Sequence, residues 1–314
     1  MLPRAASEFY AAQQRVSATT LNEVGRLWSR MGDDLDASWR RIGPPVLQVI
    51  TEGQLVMAES AAEYVPALLS EVDIKDRPAA DLVPESLVGF ASDGRRLDTL
   101  ANQALISTKV DIASGATIEQ ALDGQGKWLQ LVSQLQVADT ARQAVGIGTA
   151  TRPNVGGHVR VLNAPSCQRC AVLGGRFYRW STGFDRHPRC DCTMAPCPSA
   201  EYAKAEGFLG DPMAAYRNGE IRDLTAAQRS ALNNGADISQ VVNVRRGMSM
   251  LGLTTREGVS RRGVAGKRLG NFARQPGVRY SMSQTPRFTP EAIYRLATDR
   301  AEAISMLRRY GYIT

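Results

Sequence analysis

The segment from Ser166 to Cys197 constrains this chain more than any other, because it holds all five cysteines. Cys167 and Cys170 form a C-x2-C pair, and sixteen residues later the chain continues H-x2-C-x-C-x4-C from His187. A two-residue spacing lets one tight turn direct two side chains at a single ion, and zinc prefers four nitrogen and sulfur ligands in a tetrahedron. The pattern therefore predicts a structural zinc site.

The segment offers six candidate ligands for four positions. We expect the ligands to be the first cysteine pair, the histidine and the cysteine that follows it: Cys167, Cys170, His187 and Cys190. Cys192 is the alternative to Cys190, because residues two apart share a face of an extended chain whereas a turn would separate them. Cys197 is expected to take no part.

Two other interpretations of the cysteine pattern were weighed. A disulfide in an oxidising compartment would also use C-x2-C, but the number of cysteines is odd and residues 1–15 contain no apolar signal core. A redox C-x-x-C pair is typically found near a βαβ pattern, which is not evident here. Both interpretations are weaker than a structural metal, and a soluble protein of a reducing cytoplasm is expected.

The charges are unevenly distributed along the chain. Residues 1–150 carry a net charge of −6, residues 151–200 carry +5 and residues 201–314 carry +8. No run of eighteen apolar residues is present, so a membrane span is not expected. The charge difference predicts an anionic partner near the second half of the chain.

The apolar periodicity and the abundance of alanine predict a mainly α fold with a small α+β zinc-knuckle segment, elongated in shape. One long helix is expected over residues 4–41, ended by Gly43-Pro44-Pro45, and a second over 46–69 would form an antiparallel pair with it. Short helices and loops are expected over 73–125, and a further helix over 127–145. Three regions follow: a helical docking region (1–145), the Cys/His zinc-binding segment (146–200) and a basic helical and loop region (201–314).

A β-hairpin is predicted around the first cysteine pair. The alternating stretch 158–163 reads as a strand, and it is expected to pair with residues 175–180. His158 lies on this strand and is expected to be a paired or solvated residue without a chemical role.

The stretch from Arg245 to Arg274 holds eight basic residues against one acidic residue, Glu257. It has almost no aromatic residues to stack on bases, so a basic arm that contacts phosphate or an acidic protein surface fits better than sequence-specific single-strand binding. A solvated charged loop is the alternative. The candidate phosphate contacts are six side chains: Arg245, Arg246, Arg261, Arg262, Lys267 and Arg268.

Residues 157–192 carry a resemblance to a known family. They contain the run G-H-V-R-V-L-N-A-P-S-C-Q-R-C-A-V-L-G-G-R-F-Y-R-W, followed by F-D-R-H-P-R-C-D-C. This motif resembles the MuF-type minor capsid proteins of tailed phages, the head morphogenesis family, and it covers about residues 125–200. The helical start and the C-terminal tail resemble actinobacterial phage members. The family's Cys/His pattern falls on five residues: Cys167, Cys170, His187, Cys190 and Cys192.

The resemblance implies a low-copy protein of the virion, inside the capsid or at the portal vertex, made in the bacterial host cytoplasm. Its implied partners are the portal protein, the major capsid protein, or both, with non-specific contacts to packaged DNA. Some relatives carry a fused maturation protease, but no such domain is evident here.

The alternative function is a zinc-stabilised DNA-binding protein or an HNH-like nuclease. A nuclease of that type needs a histidine base apart from the zinc ligands, and only His158 remains for it. No H-E-x-x-H motif and no glycine-rich phosphate loop are present. The chain is therefore not expected to be an enzyme.

Overall fold

The computed structural model describes residues 3–162, 164–183, 190, 192–257, 272–273 and 282–313. Within these residues the chain forms eleven α-helices and three small sheets. This confirms the predicted mainly α fold with a small α+β segment around the cysteines. Two compact units are formed, one from residues 1–163 and 175–210 and the other from residues 164–174 and 211–314.

The first unit consists of five helices, one 3₁₀ turn and one sheet. Its elements are α1 (Arg4–Trp28), α2 (Leu35–Glu71), the 3₁₀ turn Pro84–Leu87, α3 (Leu97–Ala113), α4 (Ile118–Ala150), β1 (Gly157–Val161), β3 (Phe177–Arg179), β4 (Thr193–Cys197) and α6 (Ala200–Ala205).

Helices α1 and α2 form the predicted antiparallel pair, but the chain turns earlier than expected. The ring of Phe9 stacks on Tyr64 at a centroid distance of 4.3 Å, and the two tryptophans near the turn, Trp28 and Trp39, pack edge to face. The prediction of one helix over 4–41 is wrong. Residues 29–34 connect the helices, and the carboxylate of Asp34 caps α2 by accepting a hydrogen bond from the backbone N–H of residue 37.

The prolines expected to end a helix lie inside α2 instead. Pro44 and Pro66 are exposed, and Pro45 is partly exposed. The carbonyls that lose a helical hydrogen bond belong to residues 40, 41 and 62, which are exposed as well, so water can satisfy them. The opposite face of α2 is buried, and this packing outweighs the proline penalty.

Helix α4 also begins earlier than predicted, at residue 118 instead of 127. Thr117 and Gln120 form a capping box at its start, and the helix continues through Gly124 and Gly126. Gly126 faces Trp28, whose indole N–H donates to the carbonyl of Leu122 at 2.9 Å. A Cβ atom at position 126 would lie 2.5 Å from the Trp28 ring, so the glycine lets α1 approach α4 closely.

The two glycines give opposite predictions in the same helix. Gly126→Ala should lower the free energy of unfolding by about 1–3 kcal/mol, because the added methyl group overlaps the ring of Trp28. Gly124→Ala meets no atom within 4 Å and should raise it by about 0.5–1 kcal/mol through helix propensity. Urea unfolding of both variants measures the difference. The same sign for both would contradict this account of the α1–α4 contact.

The sheet of the first unit has the strand order β3-β1-β4, and both pairings are antiparallel. His158 pairs with Tyr178 across β1 and β3, which confirms the predicted hairpin. Met194 and Ala195 of β4 are buried against side chains of α2 and α4, and the hydroxyl of Tyr64 donates to the carbonyl of Met194 at 2.9 Å. The sheet therefore shares one hydrophobic core with the helices.

The second unit consists of short helices and strands. Its elements are β2 (Ser166–Cys167), α5 (Gln168–Ala171), α7 (Pro212–Arg217), β5 (Ile221–Arg222), α8 (Ala226–Asn233), α9 (Ile238–Asn243), the 3₁₀ turn Val244–Gly247, β6 (Thr254–Glu257), β7 (Phe272–Ala273), β8 (Met282–Phe288), α10 (Pro290–Leu296) and α11 (Arg300–Arg309).

The short helices of this unit begin at side-chain caps that are legible in the sequence. Thr225 and Gln228 form a capping box on α8, and a positive φ of 90° at Gly235 follows the end of that helix. The side chains of Asp211, Asp237, Thr289 and Asp299 cap α7, α9, α10 and α11. Their buried faces meet around Val241, Ile293, Leu307 and Tyr312.

These units differ from the three predicted regions. The predicted boundary at 145/146 falls inside α4, because the glycines of 146–150 are helical. Gly148 lies against Val65 of α2, where a Cβ atom would be 3.1 Å away, so this glycine serves helix packing and does not form a linker. Among the described residues, no helix combines the length and apolar character needed to cross a bilayer.

Candidate metal centre

Cys190 and Cys192 lie immediately before β4, which pairs along its length with β1. Their side chains are 4% and 0% exposed, and their sulfur atoms are 2.9 Å apart. Both sulfurs therefore point to the same side of the chain, as residues two apart do in an extended segment.

Two buried arginines hold this cysteine pair from different directions. Arg160, in β1, is 1% exposed and donates from Nε to the sulfur of Cys192 at 3.3 Å and from Nη2 to the sulfur of Cys190 at 3.4 Å. Arg142, in α4, donates instead to the backbone carbonyls, from Nε to Cys192 at 2.9 Å and from Nη2 to Cys190 at 2.6 Å. Its charge is balanced by Asp139, whose carboxylate lies 3.0 Å away.

The first cysteine pair lies on the turn from β2 into α5. The backbone N–H of Ser166 donates to the carbonyl of Glu220, and the side chain of Gln168 donates to the carbonyl of Asp223 at 2.7 Å. The backbone N–H of Cys170 lies 3.4 Å from the sulfur of Cys167, which caps this short helical turn. The turn is thus fixed on both sides of its two cysteines.

Among the described residues, one group of three cysteines could hold a metal ion: Cys170, Cys190 and Cys192. Their sulfur atoms all lie within 4.8 Å of one another, and all three side chains are buried. In a tetrahedral site with zinc–sulfur bonds of 2.3 Å, sulfurs lie about 3.8 Å apart. The observed spacing brackets this value, and thiolate ligands suit a soft or borderline metal.

The predicted ligands can now be placed. Cys170 and Cys190 belong to the group, and Cys192, predicted only as an alternative to Cys190, belongs to it as well. Cys167 lies outside the group, beside Cys170. His187 lies outside the described residues, so its part in the site stays a prediction.

Cys197 lies apart from this group. Its side chain is fully buried in β4 among Val159, Ala203 and Phe208. Burial raises the pKa of its thiol to about 12. All five cysteines are among the described residues, and none of them forms a disulfide bond.

Sequence reasoning missed the two arginines. Arg160 interrupts the strand V-R-V between the buried residues Val159 and Val161, and Arg142 lies in the helix stripe that contains Ala138 and Val145. A charged residue at such a position needs a partner, because burying an unpaired charge is costly. The apolar setting of each arginine was a signal that could have been noted, but the partner's identity was not legible.

His158 is a buried residue of β1. It is 2% exposed, and its ring stacks on that of Tyr178 at a centroid distance of 5.8 Å. Burial lowers the pKa of His158 to about 4. Its imidazole is therefore neutral near pH 7 and out of reach of bulk solvent.

The predicted phosphate contacts are described only in part. Arg245 and Arg246 are exposed side chains of the 3₁₀ turn that follows α9. The other four, Arg261, Arg262, Lys267 and Arg268, lie outside the described residues.

Comparison of the chain with protein-family models, with curated proteins and with solved structures gave no significant match in any of the three.

Proposed function

We propose that this chain is a structural head protein of a tailed phage, a MuF-type minor capsid protein whose cysteine-rich segment is fastened by zinc. The observation that carries the structural role is the buried group of Cys170, Cys190 and Cys192. Catalytic zinc sites keep one position open to water or substrate, whereas structural sites are closed by protein ligands. Burial of all three sulfurs favours the closed kind, and with it a protein without enzymatic activity.

Zinc is the proposed ion because the donors are sulfur atoms in a reduced, intracellular setting. Zinc binds three or four thiolates with at most one histidine in its common structural sites. The group supplies three of the four ligands, and His187 and Cys167 are the candidates for the fourth. Elemental analysis of protein purified without added metal should find one zinc per chain. A chain without bound metal, with all five thiols titratable in the native state, would refute the zinc site.

The phage assignment is supported by the sequence motif around the cysteines. The motif spans the hairpin of β1 and β3 and the segment entering β4, so the residues that carry the resemblance are those that position the sulfurs. The acidic helical region would dock on the portal protein or the major capsid protein. Mass spectrometry of purified phage particles should detect the chain at far lower abundance than the major capsid protein. Its absence from particles would exclude the capsid role.

Packaged DNA is the proposed partner of the basic region, through phosphate contacts. Arg245 and Arg246 are exposed and adjacent, so each can neutralise one phosphate. Replacing both with glutamine should reduce the salt dependence of DNA binding, the slope of log K against log salt, by about 1.8. The control replaces Arg217 and Arg295, two exposed arginines on α7 and α10, which removes the same charge. Equal losses in the two double variants would show that net charge alone governs binding.

The nuclease alternative meets an obstacle at its only candidate base. His158 is buried within the sheet, and a phosphodiester could not reach its imidazole without unfolding β1. We therefore expect no plasmid nicking in the presence of Mg²⁺. Nicking activity that disappears in His158→Ala, with the fold retained, would restore the alternative.

A further inference from the structure

Arg160 has an unusual environment for a charged residue. Its guanidinium is always protonated, and burying that charge requires anionic or strongly polar partners. Two of its nitrogens are directed at the sulfurs of Cys190 and Cys192, at 3.3 and 3.4 Å. A neutral thiol is a weak hydrogen-bond acceptor, whereas a metal-bound thiolate is anionic and accepts charge-assisted hydrogen bonds.

The charges of a zinc-bound site match this arrangement. A divalent ion with three thiolates and one neutral ligand carries a net charge of about −1, which is costly to bury without a counter-charge. One guanidinium offsets that charge and at the same time orients two of the sulfur ligands. Outer-shell partners of this kind fix ligand orientation, and their loss typically lowers metal affinity about 10- to 100-fold.

We propose that Arg160 is the positioning residue of the metal centre: it orients and neutralises the thiolates of Cys190 and Cys192 and so retains the metal. This inference rests on the proposed zinc site. Arg142 provides the contrast, because it contacts the same two residues but only through their backbone carbonyls. Its role is to fix the chain, and its removal should not alter the sulfur–metal bonds directly.

The test compares Arg160→Met and Arg160→Lys with Arg142→Met and Arg142→Lys in the full-length, zinc-loaded protein. Two quantities are measured: the rate of zinc transfer to a chromogenic chelator, and the sulfur-to-metal charge-transfer absorption after replacement of zinc by cobalt. Circular dichroism identifies the temperature range in which each variant is folded, and the comparison is made within it. The lysine variants retain the charge, so they serve where a methionine variant fails to fold.

We expect zinc affinity to fall about 10- to 100-fold in Arg160→Met, with faster zinc transfer, a changed charge-transfer absorption and partial rescue in Arg160→Lys. The folded Arg142 variants should keep the absorption of the parent. Equal changes in the two series, or no change in the Arg160 series, would overturn the role of Arg160 and leave the zinc site standing. A parent protein that binds neither zinc nor cobalt would overturn both.

Discussion

Chelation of the metal is expected to lower the free energy of unfolding by about 4 kcal/mol or more. A ligand that binds only the folded state stabilises it by about 4 kcal/mol when its free concentration is 1,000 times Kd, and structural zinc typically binds tightly enough to exceed this. The expected fall in Tm is on the order of 10 °C for a folded unit of this size. Thermal denaturation followed by circular dichroism, with and without chelator, measures it.

Cysteine variants separate metal loss from general destabilisation. Cys170→Ser and Cys192→Ser should each lower the Tm and make it insensitive to chelator, because one sulfur of the buried group is gone. Cys197→Ser is the matched control: this cysteine is equally buried but lies in a separate cluster, so its variant should remain sensitive to chelator. If the parent and Cys192→Ser unfold at the same temperature whether or not chelator is present, the sulfurs do not hold a stabilising metal.

Loss of the Arg142 side chain is expected to cost about 3–5 kcal/mol of stability. Arg142→Met leaves the carboxylate of Asp139 buried without its cation and removes the donors to the carbonyls of Ala138, Cys190 and Cys192. Removing one member of a buried ion pair is more costly than removing a solvated pair, because the remaining charge stays in a poorly polarisable environment. Urea unfolding at neutral pH measures the loss.

The control for this prediction lies in the same helix. Lys127 and Asp123 form an ion pair whose side chains are 72% and 62% exposed, so Lys127→Met should cost no more than about 0.5 kcal/mol. Adding Asp139→Asn to Arg142→Met should recover part of the loss, because it removes the uncompensated charge. A cost for Arg142→Met as small as that for Lys127→Met would mean that Arg142 does not bridge α4 to the cysteine segment in solution.

Features that depend on neighbours in sequence were predictable. The caps at Asp211, Thr225, Asp237, Thr289 and Asp299 were read from the residues themselves, since a cap joins a side chain to a backbone group two or three residues away. The hairpin of β1 and β3 followed from alternation of apolar residues. The cysteine spacing likewise indicated a metal site before any coordinates were known.

Features that depend on helix packing were not predictable. Gly-Pro-Pro in α2 and the glycines of α4 read as breaks, because the local preference of these residues opposes a helix. In the structure the prolines face solvent, and Gly126 is required by the ring of Trp28, which is nearly a hundred residues away in sequence. Local penalties of a few kcal/mol were outweighed by the burial of one whole face of each helix.

The sequence by itself determined which residue types are available to the metal centre and that the fold is mainly α. The tertiary structure decided that Cys190 and Cys192 join the group together, and that Arg160 and Arg142 contact them. These contacts join residues 30 to 50 positions apart, so no local pattern encodes them. The physical reason is burial: only when β1, α4 and the segment entering β4 exclude water together must each arginine find the sulfurs or carbonyls that offset the cost of its charge.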